Sequence, residues 1–135
     1  MKTIEATATS RGSRDAVWAL LEDVTAWPRW GSWTASGVEG DEPHGPGAIR
    51  WLEGRGFRVR ERVTDWEPGR RMGYDLLDGM KVSGYRSAIE LEDAPGGGTL
   101  VRWRSTYDKA GALTGVILRL AVRDSAKKLA KAARS

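Results

Sequence analysis

The chain has 135 residues and a net charge of +4, about the size of one ordinary domain and enough to bury about 65–70% of its unfolded surface. It has no cysteine, which excludes disulfide scaffolds, thiolate catalysis and iron–sulfur clusters, and its single histidine, His44, excludes multi-histidine metal sites and histidine relays. No apolar run approaches the ~18–20 residues of a membrane-spanning helix, and Met1-Lys2-Thr3-Ile4-Glu5 lacks the apolar core of a signal peptide, so a soluble, cytoplasmic, single-domain protein over residues 1–135 is expected.

Thr3 to Ser10 alternates polar residues with Ile4, Ala6 and Ala8, a strand pattern. Ser13 then offers a helix N-cap and Asp15 an acid in the first turn. Val17, Trp18, Leu21 and Val24 recur at helical spacing, predicting a helix over 14–23. Thr25 can cap a second short turn, with Pro28 in its first turn. From Trp33 to Asp108 the chain reads as a β-meander punctuated by glycine and proline. Gly54-Arg55-Gly56, Glu67-Pro68-Gly69, Leu77-Asp78-Gly79 and Ala94-Pro95-Gly96-Gly97-Gly98 mark its turns, and one strand is expected over Val82–Glu92. With the first strand this makes a seven-stranded antiparallel sheet. Residues 111–133 return to helical spacing through Leu113, Ile117 and Leu120, then Val122, Ala126, Leu129 and Ala133.

The order strand, two short helices, six strands, long helix resembles the SRPBCC (START/Bet v 1-like) superfamily, in its polyketide cyclase/dehydrase and lipid-transport branch. The resemblance covers essentially the whole chain. It rests on Ser13-Arg-Asp-Ala-Val-Trp-Ala-Leu-Leu-Glu-Asp-Val24 with Trp27-Pro-Arg-Trp30, and on Val63-Thr-Asp-Trp-Glu-Pro-Gly-Arg-Arg-Met72. It implies an α+β helix-grip fold, in which a curved sheet wraps the C-terminal helix around a cavity for an apolar ligand.

Alternation along the strands points Trp51 with Ile49, Tyr74 with Met72 and Leu76, Tyr85 with Ser87, Ile89 and Leu91, and Trp103 with Val101, Ser105 and Tyr107 to the interior. Together with Trp33, Leu113 and Ile117 these mix aromatics with hydroxyls, as a small-molecule pocket requires. Core filling is the plainer account of any single aromatic. Glu61 falls among Phe57, Val59 and Val63, opposite the face of Arg58, Arg60 and Arg62. An inward carboxylate there would have a raised pKa and could anchor a ligand or act as a general base. A bulge turning it outward, or an arginine partner, would make it structural.

The chain's charge excess lies at its end. Arg119, Arg123, Lys127, Lys128, Lys131 and Arg134 face the single acid Asp124 beyond residue 110. Arg119, Arg123, Lys127 and Lys131 stand at i+4 steps, a basic stripe that is a solvated face or a weak contact for an anionic surface. His44, in a proline- and glycine-rich loop, is expected in solvent or at the rim of the pocket. Glycines 96–98 precede a strand rather than a helix and so read as a turn, not a phosphate cradle. Three functions are open: a carrier of a lipid-like or aromatic molecule, an aromatase/cyclase-type enzyme as the resemblance allows, and an interaction module using the basic helix. No metal, cofactor or specific nucleic acid is expected.

Overall fold

A computed structural model describes residues 1–40 and 45–133; His44 and Arg134 lie outside the described residues. Strand β1 (Lys2–Ser10) turns Ile4, Ala6, Ala8 and Ser10 inward. Helix α1 (Arg14–Glu22) starts where Ser13 Oγ accepts the Ala16 amide at 3.1 Å, and it buries Val17, Trp18 and Leu21. The next cap is Asp23 rather than Thr25. Its carboxylate accepts the Thr25 amide at 3.0 Å and opens a 3₁₀ turn over Val24–Arg29. A carboxylate suits this place because it can accept the Thr25 amide and hydroxyl together.

The strands that follow are β2 (Ala35–Glu39), β3 (Ile49–Gly54), β4 (Phe57–Glu67), β5 (Arg71–Asp78), β6 (Val82–Ser83), β7 (Arg86–Asp93), β8 (Thr99–Tyr107) and β9 (Lys109–Ala110). With β1, six of them form a seven-stranded antiparallel sheet in the order β1-β8-β7-β5-β4-β3-β2, and β6 pairs with β9 as a separate ribbon. The strand expected over Val82–Glu92 is therefore broken. Gly84 takes φ +65°, and a Cβ there would stand 2.4 Å from Asp108 Oδ2, so the chain kinks where only glycine fits.

Helix α2 (Ala112–Ala132) packs against β1 and β8 and buries Leu118, Val122, Ala126, Leu129 and Ala130. The inward positions expected for Leu113, Ile117 and Leu120 are corrected: they are 73%, 54% and 57% exposed. The first half of this helix is apolar on nearly every side, so spacing alone does not choose its buried stripe. The stripe in register with Leu129 does. Trp27, Trp30 and Trp103 belong to one apolar core between the sheet and the helices.

Candidate functional site

Strand β3 sets the site by its parity. Arg50 and Leu52 are buried, whereas Trp51 is partly exposed on the other face with Ile49. The inward position expected for Trp51 is thus off by one residue. Gly37 on β2 leaves room for its ring, since a Cβ there would stand 2.7 Å from it, and the Arg58 guanidinium lies 4.8 Å above the ring centroid. An indole half-covered by a guanidinium is satisfied at the surface. The interior receives an arginine instead.

Arg50 is 2% exposed and stands opposite Glu61 in the β3–β4 ladder. Its Nε donates to Glu61 Oε1 at 2.9 Å, and Nη1 lies 3.4 Å from Met72 Sδ. The guanidinium is sandwiched between Trp27 and Tyr74, at 4.3 and 4.5 Å from their ring centroids. Nη2 is buried with no hydrogen-bond partner among the described residues. Glu61 does face inward with Val59 and Val63, while Phe57 is 44% exposed. Burial pushes the Glu61 carboxyl above its ordinary range, and the Arg50 charge and hydrogen bond oppose that without cancelling it.

Between this pair and the first half of α2 lies a cleft of about 460 Å³. Trp33, Glu61, Tyr74, Tyr85, Trp103 and Ile117 all contribute to its wall, with Phe57, Met80 and Lys81. Val59, Leu118 and Val122 supply further apolar surface. The Tyr85 hydroxyl donates to Ser105 Oγ at 3.0 Å, and Ser105 and Ser87 share a hydrogen bond. Ser87 and Ser105 are therefore anchors of Tyr85 rather than wall residues. Burial pushes both tyrosines up, Tyr74 far more than Tyr85, and the nearby Glu61 charge adds to the effect. Both phenols stay protonated donors at neutral pH. The Trp103 indole N–H is buried without a partner among the described residues.

Besides Trp51, Ser87 and Ser105, two further expected wall residues stand elsewhere. Leu113 is in solvent, and Tyr107 is buried beside Gly115 of α2, where its hydroxyl lies 3.1 Å from the place of an added Cβ. Sequence reasoning missed Arg50. Its signal was the alternation Ala48, Arg50, Leu52, an equally good apolar parity interrupted by one charge. Arg119, Arg123, Lys127 and Lys131 are all exposed on α2. Among the described residues no group of three or more His, Cys, Asp or Glu is placed to hold a metal ion, and no helix is long and apolar enough to cross a membrane.

A curved antiparallel sheet closed against a C-terminal helix over an aromatic cleft defines a helix-grip protein. Solved structures share this fold. The protein XoxI from Bacillus cereus superposes with a TM-score of 0.81 at 20% identity, over 96% of this chain and 94% of that one. A Nitrosospira multiformis protein gives 0.82 at 14% identity over the same shares. DynU16, described as a putative protein in the dynemicin biosynthetic locus, gives 0.77 at 16% identity, over 96% of this chain and 46% of its own. Among curated proteins none matches the sequence. The sequence profile described as polyketide cyclase/dehydrase and lipid transport matches residues 1–134. The chain belongs to that family, within the SRPBCC superfamily.

Proposed function

We propose that residues 1–135 act as one ligand-binding domain that takes a hydrophobic, partly aromatic small molecule into the cleft between the sheet and α2. The observation that carries this reading is the wall itself. Indoles, phenols and aliphatic side chains surround one buried carboxylate that is fixed from behind by Arg50. Apolar area supplies most of the affinity of such a site, and a few polar groups orient the ligand. Glu61 accepts a hydrogen bond from a ligand hydroxyl, and the unpartnered Trp103 indole N–H offers a donor. An environment-sensitive apolar dye should bind once per chain and quench tryptophan fluorescence. Ala121→Trp, placed in the wall on an exposed helix position, should block the dye while keeping the fold. Absence of saturable binding overturns the reading.

A second reading, an aromatase/cyclase-type enzyme, is favoured by one observation: the raised carboxylate lies in the same wall as two protonated phenols. Glu61 would take a proton from the carbon between two ketones of a poly-β-ketone. That carbon would then attack a second carbonyl carbon, whose oxygen takes up the proton and becomes a hydroxyl; loss of that hydroxyl with the attacking carbon's remaining hydrogen releases water and leaves a carbon–carbon double bond. A base tuned upward toward neutral pH suits such a proton transfer. Glu61→Gln separates the readings, because it should abolish turnover in the enzyme and leave dye binding in the carrier. The stripe Arg119, Arg123, Lys127 and Lys131 adds a salt-sensitive contact with an anionic surface, supported by its exposure and by its lack of ion pairs among the described residues.

A further inference from the structure

The first two turns of α2 carry a feature that the cleft does not use. Leu113, Val116, Ile117 and Leu120 recur at i, i+3, i+4 and i+7, which places them on one face of the helix. That face is turned away from the core. The four side chains are 73%, 53%, 54% and 57% exposed. Ile117 also forms part of the cleft wall, so the exposed face is continuous with the cleft mouth. Phe57, itself 44% exposed, lines the same cleft with Arg55 and Lys81. A contiguous aliphatic patch of this kind is uncommon on a soluble surface unless something covers it.

The surrounding charge says what covers it. Arg123 and Lys127 stand three and seven residues beyond Leu120, on the same side of the helix, and Arg119 flanks them. None of the three has an acidic partner among the described residues, and the one acid of the helix, Asp124, is paired with Lys128 at 3.3 Å. Cations thus frame the patch on the helix side and, through Arg55 and Lys81, on the hairpin side. Apolar side chains ringed by unpaired cations are complementary to an anionic lipid surface, where aliphatics enter the acyl boundary and cations meet headgroups. A second copy of this chain fits poorly. A stable dimer takes about 20–30 residues a side, far more than two helical turns and a hairpin tip.

We propose that the protein docks to an anionic bilayer through Leu113, Val116, Ile117, Leu120 and Phe57, which sets the cleft mouth against the lipid. Docking is separate from cleft occupancy, although its use for delivering a ligand rests on the carrier reading above. The test is sedimentation with vesicles of phosphatidylcholine alone and of phosphatidylcholine with phosphatidylglycerol, at low and high salt. The wild-type protein should pellet with the anionic vesicles and be released by salt. Leu113→Ser with Val116→Ser and Leu120→Ser should lower that partition by about tenfold or more, as apolar area is lost from the contact. Arg119→Gln with Arg123→Gln and Lys127→Gln should lower it by roughly fivefold per cation. Circular dichroism should report an intact fold in both variants.

Four results overturn the proposal. The wild-type protein could stay in the supernatant with anionic vesicles, or the serine variant could pellet as well as the wild type. Ultracentrifugation could show a dimer that the serine substitutions dissolve, which makes the face a self-interface. Retention on poly-glutamate could equal that on vesicles and be indifferent to the serines, which leaves charge alone. Dye binding to the cleft is measured in the same variants, so loss of the carrier reading and loss of docking are seen separately.

Discussion

Removing the Glu61 carboxylate is expected to destabilise the protein strongly, even though an isolated buried acid would ordinarily be a liability. Arg50 is 2% exposed and pressed between Trp27 and Tyr74, and Glu61 is its sole carboxylate partner among the described residues. Glu61→Leu leaves that cation buried and unpaired, which costs about 3–5 kcal/mol from a total of about 5–15 kcal/mol. The melting temperature should fall by roughly 10–20 °C. Arg50→Met alone should cost less at low pH, because the orphaned carboxyl can take a proton. Arg50→Met with Glu61→Leu should return to wild-type stability or exceed it by about 1–4 kcal/mol, since well-packed apolar side chains replace a buried pair at little loss. Urea denaturation of the four proteins at pH 7 gives the full cycle. A Glu61→Leu protein as stable as the wild type would refute the reasoning, because Arg50 would then have another route to compensation.

The raised Glu61 carboxyl binds its proton more tightly in the folded state than at its ordinary value of 4.5. The stability of the wild type relative to Glu61→Gln should therefore be greatest below that pH, fall as pH rises through the folded value, and then level off; pH-dependent urea melts of the two proteins check the sign. Tyr74 and Tyr85 are likewise raised, so stability should be lost as pH climbs above the ordinary phenol value, and ultraviolet titration should show two phenols ionising late, together with unfolding. Gly79 takes φ +109°, and a Cβ there would stand 2.1 Å from the Arg58 carbonyl oxygen; Gly79→Ala should cost about 1–3 kcal/mol or more in a thermal melt.

The fold was legible because each element carries a local signal that agrees with its neighbours. Ser13, the alternation of β8 and the glycine turns need no tertiary information. Failures came where two patterns were equally good. In β3 both parities are acceptable as residue types, and tryptophan is the larger apolar side chain, so hydrophobicity chooses Trp51 over Arg50. The structure reverses this through Gly37 and Arg58 on one face and Glu61 on the other, three contacts that lie on other strands. In α2 the residues Val116, Ile117 and Leu118 offer apolar surface on several sides. Only the packing of Leu118 against the sheet shows which side is buried, and it leaves the others in solvent. The strand break at Gly84 depends on Asp108, a residue 24 positions away, and so no local pattern announces it. Among the candidate wall residues, Tyr74, Tyr85 and Trp103 were legible because their strands have one polar and one apolar face.

The misread arginine changes what Glu61 can do. A lone carboxylate in this cleft would be held neutral by burial and would serve as a donor. Arg50 pulls in the opposite direction, toward the ionised acceptor, and its guanidinium is itself held by two rings and a thioether rather than by further carboxylates. The carboxyl is thus raised by burial and drawn back by Arg50, with burial the larger effect. A carrier needs only one protonation state and should bind its ligand with an affinity that follows the protonation of Glu61 monotonically. An enzyme whose cycle begins with the ionised base should instead show a rate that rises with pH through the Glu61 value and then levels off, since the proton it takes is returned within the same turnover. Arg50→Met displaces that value upward. It should shift the pH dependence of binding in a carrier, and move the rising limb of the rate profile to higher pH in an enzyme, while the aromatic wall stays in place.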